Sequence, residues 1–288
     1  MQDAGVNMQF FSFAKINIGL RIVAKRPDGF HDIETFFQQI DLHDTLNIEA
    51  TLDGQIELAA DRDCPADQTN LAHRAAALLK SVIRRESLGC RINLKKQIPM
   101  GAGLGGGSSN AAAALVALNK LWGASLSAQE LADCAARLGS DVPFFLRGGF
   151  ALGKGRGEIL TSLPHVIEYY GVLVYPNIHI STAWAYNNFN LTLTKKNKIA
   201  TFISFIPHMM DTSLWKKELK NDLASVVFAA YPEFSRILEK FYEHGAFYAQ
   251  MSGSGSTLFG LFREKSQAGR AASFFKKTYE TVQFRPLF

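Results

Sequence analysis

The segment from Pro99 to Ser109 holds the residues best suited to binding an anion, because five of them are glycine. Glycine adopts positive φ without strain, so consecutive backbone N–H groups can point toward one ligand. An alanine-rich pattern predicts a helix from Ser108 to Trp122, whose first turn adds unpaired N–H groups and a partial positive charge. The segment therefore predicts a polyphosphate site formed by Pro99, Met100, Gly101, Ala102, Gly103, Leu104, Gly105, Gly106, Gly107, Ser108 and Ser109.

Comparison with known phosphate-loop patterns limits the classes of loop to which this segment can belong. A Walker A loop requires a lysine directly after Gly106, where Gly107 stands, and the further sequence sets of protein kinases are absent. The dinucleotide-binding pattern G-x-G-x-x-G fits the loop. However, no acidic residue follows about 20 positions later at the end of a second strand. An NAD-binding oxidoreductase is therefore only a distant alternative, and a packing turn without a ligand is a further one.

The elements that must position this loop begin with a β-rich region. Apolar runs between turn residues predict strands at Gln9–Val23, Ile33–Ile40, Thr45–Thr51 and Cys90–Leu94. The dipeptide Asp53-Gly54 predicts a hairpin turn that leads into a strand at Gln55–Ala59. We therefore expect an antiparallel sheet before the loop.

Capping residues mark two helix starts. Asn70 precedes apolar residues at helical spacing up to Ile83, and Ser127 with Glu130 forms a capping-box pattern for a helix that ends near Leu138. The residues Gly139 to Pro143 are expected to form a turn. After a glycine-dense stretch at Gly148–Gly157, we expect strands at Val172–Tyr175, Phe247–Met251 and Thr257–Phe262, and helices at Ile199–Phe205, Glu233–Tyr242 and Ser266–Tyr279.

Composition limits the class of protein. The 288 residues are 47% hydrophobic and 20% charged, as in soluble globular proteins, and the length allows about two domains. Three distant cysteines and the absence of a secretory pattern predict a cytoplasmic protein, and no apolar run is long enough to cross a membrane. The net charge of +5 comes entirely from residues 155–288, but no RNA-binding motif of interleaved aromatic and basic residues supports a nucleic-acid site there. RNA binding is therefore a third alternative, and no nucleic-acid partner is expected.

Six segments, in order, resemble the motifs of the GHMP kinases, a family of small-molecule kinases. They are AKINIGL at 14–20, RPDGFH at 26–31, the loop at 99–109, LGSDVPFF at 138–145, NDL at 221–223 and SGSGS at 252–256. The resemblance implies an α+β fold of two domains, residues 1–155 and 156–288. The first would be an N-terminal domain like one of the ribosomal-protein domains, and the second a C-terminal α/β-sandwich domain. An active-site cleft is implied between them.

The resemblance also implies the chemistry. ATP, accompanied by Mg²⁺, would donate its γ-phosphoryl group to an alcohol. Asp141 would accept the hydroxyl proton, and Lys15 would keep Asp141 ionised and stabilise the developing alkoxide. Without the resemblance, Asp141 is an ordinary turn residue and Lys15 an ordinary surface lysine. Ser108 or Ser109 could contact the metal, but no residue is assigned as a metal ligand.

The segment at 26–31 is similar to the branch of the family whose acceptor carries a cytidine diphosphate group. The implied reaction phosphorylates the 2-hydroxyl of a methylerythritol unit in non-mevalonate isoprenoid synthesis. Phe30 would stack on the cytosine although the family usually has Tyr there, His31 would contact its polar edge, and Tyr186 would lie on the other face. Asn17 and Thr182 would contact substrate hydroxyls or phosphate.

Two further residues resemble adenosine-site positions of the family, namely Asn70 and Lys96. Lys96 could equally be an exposed lysine at the end of a strand. Another acceptor, homoserine or mevalonate, is the nearest alternative, although neither offers a base on which Phe30 could stack. A monomer or a weak homodimer is expected.

Overall fold

The structure is a computed structural model that describes residues 7–62, 64–164, 167–190 and 201–288. The chain forms two compact units, and each is assembled from separate stretches of sequence. Unit 1 comprises Met1–Ala14, Leu42–Met100 and Gly105–Arg147, and unit 2 comprises Lys15–Asp41, Gly101–Leu104 and Gly148–Phe288. The division into domains at residues 155 and 156 stays a prediction.

Two long strands, β1 (Asn7–Lys25) and β2 (His31–Thr51), contribute residues to both units and pair with each other. The sequence patterns at Ile33–Ile40 and Thr45–Thr51 were expected as separate strands, yet β2 runs through both. The polar residues between them do not interrupt the strand, and one of them, Asp44, accepts hydrogen bonds through its side chain from the backbone N–H groups of Gln97 and Ile98.

Unit 1 packs helices on a sheet. Strand β4 (Gly89–Lys95) pairs antiparallel with Thr45–Thr51 of β2 and parallel with β3 (Ile56–Ala60). The helices are α1 (Leu71–Ile83), α2 (Gly106–Leu121), α3 (Ala128–Leu138) and α4 (Val142–Arg147). Buried alanines on α1 and α2 let the two helices pack closely, since they add little side-chain bulk to the core that both helices share.

Two expectations about unit 1 are wrong. Strand β3 does not form a hairpin with β2 across Asp53-Gly54, because it pairs with β4 in the register Ile56 opposite Cys90. The turn expected at 139–143 is shorter, since Val142 and Pro143 already belong to α4. Both predicted helix caps are confirmed: Asn70 caps α1, and Ser127 and Glu130 form the capping box of α3.

Unit 2 contains an antiparallel sheet in the order β10-β7-β9-β8, formed by β7 (Tyr170–Tyr175), β8 (Tyr248–Met251), β9 (Leu258–Phe262) and β10 (Glu280–Phe284). The strands β5 (Phe150–Lys154) and β6 (Ile159–Ser162) belong instead to the sheet that contains β2. Strand β5 pairs antiparallel with Thr35–Gln38 of β2, and β6 pairs antiparallel with β5.

The helices of unit 2 are α5 (Thr182–Asn187), α6 (Phe202–Phe205), a 3₁₀ turn at Ile206–His208, α7 (Trp215–Glu218), α8 (Asp222–Ala230), α9 (Glu233–Glu243) and α10 (Lys265–Phe275). Helices α5, α8, α9 and α10 share an aliphatic and aromatic core with the sheet β10-β7-β9-β8. The last helix is shorter than expected, because it ends at Phe275 rather than at Tyr279. The expected helix start at Ile199 lies outside the described residues. In the described parts of both units, no helix has the length and apolar character needed to cross a membrane.

Candidate active site

Lys15 is a buried lysine on β1, with only 3% of its surface exposed. Its ammonium group donates hydrogen bonds to Oδ1 of Asn17 at 2.6 Å and to the carbonyl oxygen of Gly103 at 2.8 Å. The ammonium also lies 5.6 Å from the ring centroid of Phe37. Because a buried cation is poorly screened by water, Lys15 can stabilise negative charge on a ligand strongly.

Asn17 fixes the position of Lys15, because residues two apart on a strand face the same side. Asn17 is also buried, and its amide group donates to Oγ1 of Thr35 on β2 at 2.9 Å. Thr35 in turn donates to the carbonyl oxygen of Gly19 at 2.6 Å. Each polar group therefore has a partner, which holds the lysine in one orientation.

The loop at Ser252–Ser256 joins this network at the carbonyl of Gly103. The hydroxyl of Ser252 donates to that carbonyl at 2.9 Å and accepts a hydrogen bond from the backbone N–H of Asn17 at 3.2 Å. Gly103 has φ +77°, and a Cβ there would collide with the carbonyl oxygen of Ser252. The close approach of the two loops thus requires glycine at position 103.

The glycine loop leads into α2 as predicted, although the helix begins at Gly106 rather than at Ser108 and ends at Leu121. Gly101, Gly103 and Gly105 all have positive φ, and Gly105 is the N-cap of α2. Among the described residues, no side chain caps this helix and no acidic residue lies in its first turn. The N–H groups of that turn are therefore suited to bind an anion.

Both residues expected near adenosine lie beside α2 in unit 1. Asn70 caps α1, and the next residue, Leu71, is the nearest neighbour of Gly107 in the first turn of α2. Lys96 is not an exposed lysine at the end of a strand, because only 5% of it is exposed and it pairs with Asp44. Contact of Asn70 and Lys96 with a nucleotide stays a prediction.

Asp141 occupies the short turn between α3 and α4 in unit 1. It directly precedes α4, and α4 packs against α2 within that unit. Because Lys15 belongs to unit 2, the predicted pairing of Lys15 with Asp141 stays a prediction.

The residues expected around a cytosine lie in unit 2. Phe30 stands in the turn between β1 and β2 and is 54% exposed. The rings of His31 and Tyr186 stack at 5.2 Å, so Tyr186 contacts the histidine in this structure. Burial, and to a smaller extent the charge of Lys25, lowers the pKa of His31, which favours its neutral form.

Thr182 is the first residue of α5, and its hydroxyl lies 2.9 Å from that of Ser254. Sequence reasoning missed Thr35, Asp44 and Arg156. The guanidinium of Arg156 covers one face of Phe30 at 4.9 Å. Its only sequence signal is its place between two glycines, Gly155 and Gly157.

Two protein-family models match the sequence. A family model described as the GHMP kinases N terminal domain matches residues 70–149, and one described as GHMP kinases C terminal matches residues 206–281. The 4-diphosphocytidyl-2-C-methyl-D-erythritol kinase of Chlorobium phaeobacteroides is 41% identical over 96% of both chains. The enzyme with the same name from Prosthecochloris aestuarii is 40% identical over 96% of both.

Solved structures of kinases also match this chain. A crystal structure of 4-(cytidine 5'-diphospho)-2C-methyl-D-erythritol kinase matches with a TM-score of 0.82 and 31% identity, covering 97% of this chain and 99% of that one. A homoserine kinase from Cytophaga hutchinsonii matches with a TM-score of 0.75, covering 100% of this chain and 96% of that one. Because the identity to the homoserine kinase is 19%, that match supports the fold alone.

Proposed function

The chain belongs to the GHMP kinase family, and from this premise we propose that it transfers the γ-phosphoryl group of ATP to the 2-hydroxyl of 4-diphosphocytidyl-2-C-methyl-D-erythritol. The products are the 2-phosphate and ADP, in the non-mevalonate route to isoprenoid precursors. The observation that carries this proposal is the identity of about 40% across 96% of two relatives that bear the name of that kinase.

In the proposed mechanism, Asp141 is the general base and accepts the proton of the attacking hydroxyl. A positioned carboxylate of this kind contributes about 10² to 10⁴-fold to the rate. Lys15 stabilises the negative charge that develops on the oxygen. Its burial and its hydrogen bond to Asn17 support this role, because a rigidly held cation needs no reorganisation when the reaction occurs.

The phosphates of ATP are proposed to bind the glycine loop and the first turn of α2, with Asn70 and Lys96 on the adenosine side. Mg²⁺ is the proposed companion of ATP; when bound, it would neutralise negative charge on the phosphates, and it needs few protein ligands. In the described part of the chain, no cluster of three or more His, Cys, Asp or Glu side chains could hold a metal by itself. The hydroxyl oxygen of Ser108 or of Ser109, in the first turn of α2, would be available to contact the ion, and no residue is assigned as its ligand.

On the acceptor side, Phe30 offers an exposed ring for stacking on cytosine. His31 follows it directly in the chain, and the ring of Tyr186 stacks on that of His31. Asn17 and Thr182 are proposed to contact hydroxyl or phosphate groups of the acceptor. Homoserine and mevalonate present no aromatic base, so this exposed ring favours the cytidyl substrate over them. Membership of a kinase family removes the oxidoreductase alternative.

A coupled assay of ADP release tests the proposed function. The cytidyl-erythritol substrate, homoserine and mevalonate would be compared at equal concentrations with ATP and Mg²⁺. We expect turnover with the first alone. Turnover with homoserine or mevalonate, and none with the cytidyl substrate, would show that the acceptor is wrong although the chain is a kinase.

We further propose a cytoplasmic monomer or weak homodimer with no nucleic-acid partner. Three cysteines, Cys64, Cys90 and Cys134, are present as thiols, which suits a reducing compartment. Burial raises the pKa of Cys90 to about 12, so this thiol stays protonated and unreactive near neutral pH. Sedimentation of the purified protein at several concentrations, with and without RNA, would test the assembly and the absence of RNA binding.

A further inference from the structure

Asp44 is a carboxylate with no exposed surface, located on β2 in unit 1. Its Oδ1 accepts hydrogen bonds from the backbone N–H groups of Gln97 and Ile98, at 2.7 and 2.8 Å. Its Oδ2 accepts from the side-chain amide of Asn110 at 2.9 Å and from the ammonium of Lys96. Four donors thus satisfy one buried charge, which would otherwise be costly to keep away from water.

The partners of Asp44 also bind one another. The side-chain oxygen of Asn110 accepts from the ammonium of Lys96 at 3.1 Å, and its NH₂ group donates to Oγ of Ser12 at 2.6 Å. Lys96, Asn110 and Ser12 are all buried. The cluster is therefore a closed polar network, in which removal of one member leaves another group without a partner.

The location of this network in the sequence is significant. Gln97 and Ile98 directly precede Pro99, and Asn110 directly follows Ser109. One carboxylate consequently ties together both ends of the glycine-rich segment. The ammonium of Lys96 lies close to Gly106, where an added Cβ would stand 3.3 Å from it and 2.9 Å from Cγ2 of Ile98.

The charge of Asp44 offsets that of Lys96 beside the first turn of α2. A cation at the first turn of α2 is unfavourable for the helix dipole, and an anion nearby offsets it. Asp44 supplies that anion from inside unit 1. It therefore allows the ammonium of Lys96 to stay beside the first turn of α2, whose backbone N–H groups are the proposed donors to phosphate.

We propose that Asp44 is a positioning residue for ATP, which joins the two ends of the glycine loop and holds the ammonium of Lys96 beside the first turn of α2. This inference rests on the proposed binding of ATP at that loop. It does not depend on which alcohol accepts the phosphoryl group.

The test compares Asp44→Asn, Lys96→Met and the double variant with two matched controls. Glu49→Gln alters a half-buried carboxylate farther along β2, and Lys95→Met alters the exposed lysine next to Lys96. For each protein, the affinity for ATP is measured by titration without an acceptor, and KM for ATP and for the acceptor is measured separately. Thermal unfolding shows whether each variant is folded at the assay temperature.

We expect each single variant to weaken ATP binding about tenfold, because a loop displaced by a fraction of an ångström loses its aligned N–H donors. KM for the acceptor should change less than about twofold, and both controls should bind ATP as the wild type does. The double variant should bind ATP no more weakly than the single variant that has the lower affinity, because both substitutions disrupt one network.

Three results would overturn the proposal. They are wild-type ATP binding in either single variant, single effects that multiply in the double variant, and equal rises of both KM values. If Asp44→Asn does not fold, Lys96→Met still tests the proposal. It is expected to fold because the carboxylate of Asp44 stays bound to the backbone N–H groups of Gln97 and Ile98. A wild-type protein that binds ATP but does not phosphorylate the cytidyl substrate would instead contradict the proposed function alone.

Discussion

The guanidinium of Arg156 lies 4.9 Å from the ring centroid of Phe30, so a cation covers one face of an exposed aromatic side chain. The turn that carries Arg156 is itself held in place. The backbone N–H of Arg156 donates to Glu158 at 2.6 Å, and the carbonyl of Gly155 accepts from the N–H of Ile33 at 2.7 Å. Phe30 therefore has one face covered by the protein and offers only the other to a ligand.

Replacement of Arg156 by alanine should weaken binding of the cytidyl substrate. A cation–π contact at an exposed site contributes about 0.5 to 1 kcal/mol, which corresponds to a KM rise of roughly two- to fivefold. Arg156→Lys should recover part of the loss, because it keeps the charge but not the planar group. Arg236→Ala, an exposed arginine on α9, is the matched control. An unchanged KM for the acceptor in Arg156→Ala would contradict this role for the contact.

Asp141→Asn should lower kcat by about 10² to 10⁴-fold while ATP still binds, because the amide cannot accept a proton. The measurement combines single-turnover rates with ATP titration. Asp133→Asn on the exposed side of α3 is the control, since its carboxylate accepts a hydrogen bond from Gln129 on the same helix. Turnover near that of the wild type in Asp141→Asn would exclude the general-base role.

Gly103→Ala should destabilise the protein more than Gly123→Ala does. Both glycines have positive φ, which costs alanine about 1 to 2 kcal/mol. A Cβ at Gly123 meets no atom within 4 Å, whereas one at Gly103 collides with the carbonyl of Ser252 and adds about 1 to 3 kcal/mol of overpacking. Urea unfolding of the two variants measures the difference, and equal losses would show that the two loops do not pack closely.

Asp222 should make the free energy of unfolding depend on pH. Burial raises the pKa of this carboxyl, although the N–H of Ile22, at 2.8 Å, and Arg21 oppose the shift. The folded state therefore binds a proton more readily than the unfolded state, so this group makes stability fall as pH rises from the ordinary Asp pKa through the raised one.

Asp222→Asn should remove that part of the pH dependence and nothing else. Below the ordinary pKa both proteins carry a neutral group, so their unfolding free energies should lie close together. Above the raised pKa the wild type should be the less stable of the two. A difference that stays constant from pH 3 to 8, about the range over which carboxyl groups titrate, would mean that burial does not shift this pKa.

The sequence alone predicted the features that depend on neighbouring residues. The caps at Asn70 and Ser127 and the positive φ angles of the glycine loop follow from local chemistry, because a cap or a turn involves residues only a few positions apart. The family motifs likewise lie in continuous segments, so the kinase family was identified from residues such as Gly101 and Asp141 without any contact between distant residues.

Only the tertiary structure decided which distant residues meet. Strand β3 pairs with β4 instead of forming a hairpin, because strand pairing depends on how whole faces pack and not on the turn between them. Lys96 is buried against Asp44, 52 positions earlier, where sequence reasoning left it equally as an exposed lysine. Burial and pairing depend on the summed packing of the fold, and local residue patterns do not carry that information.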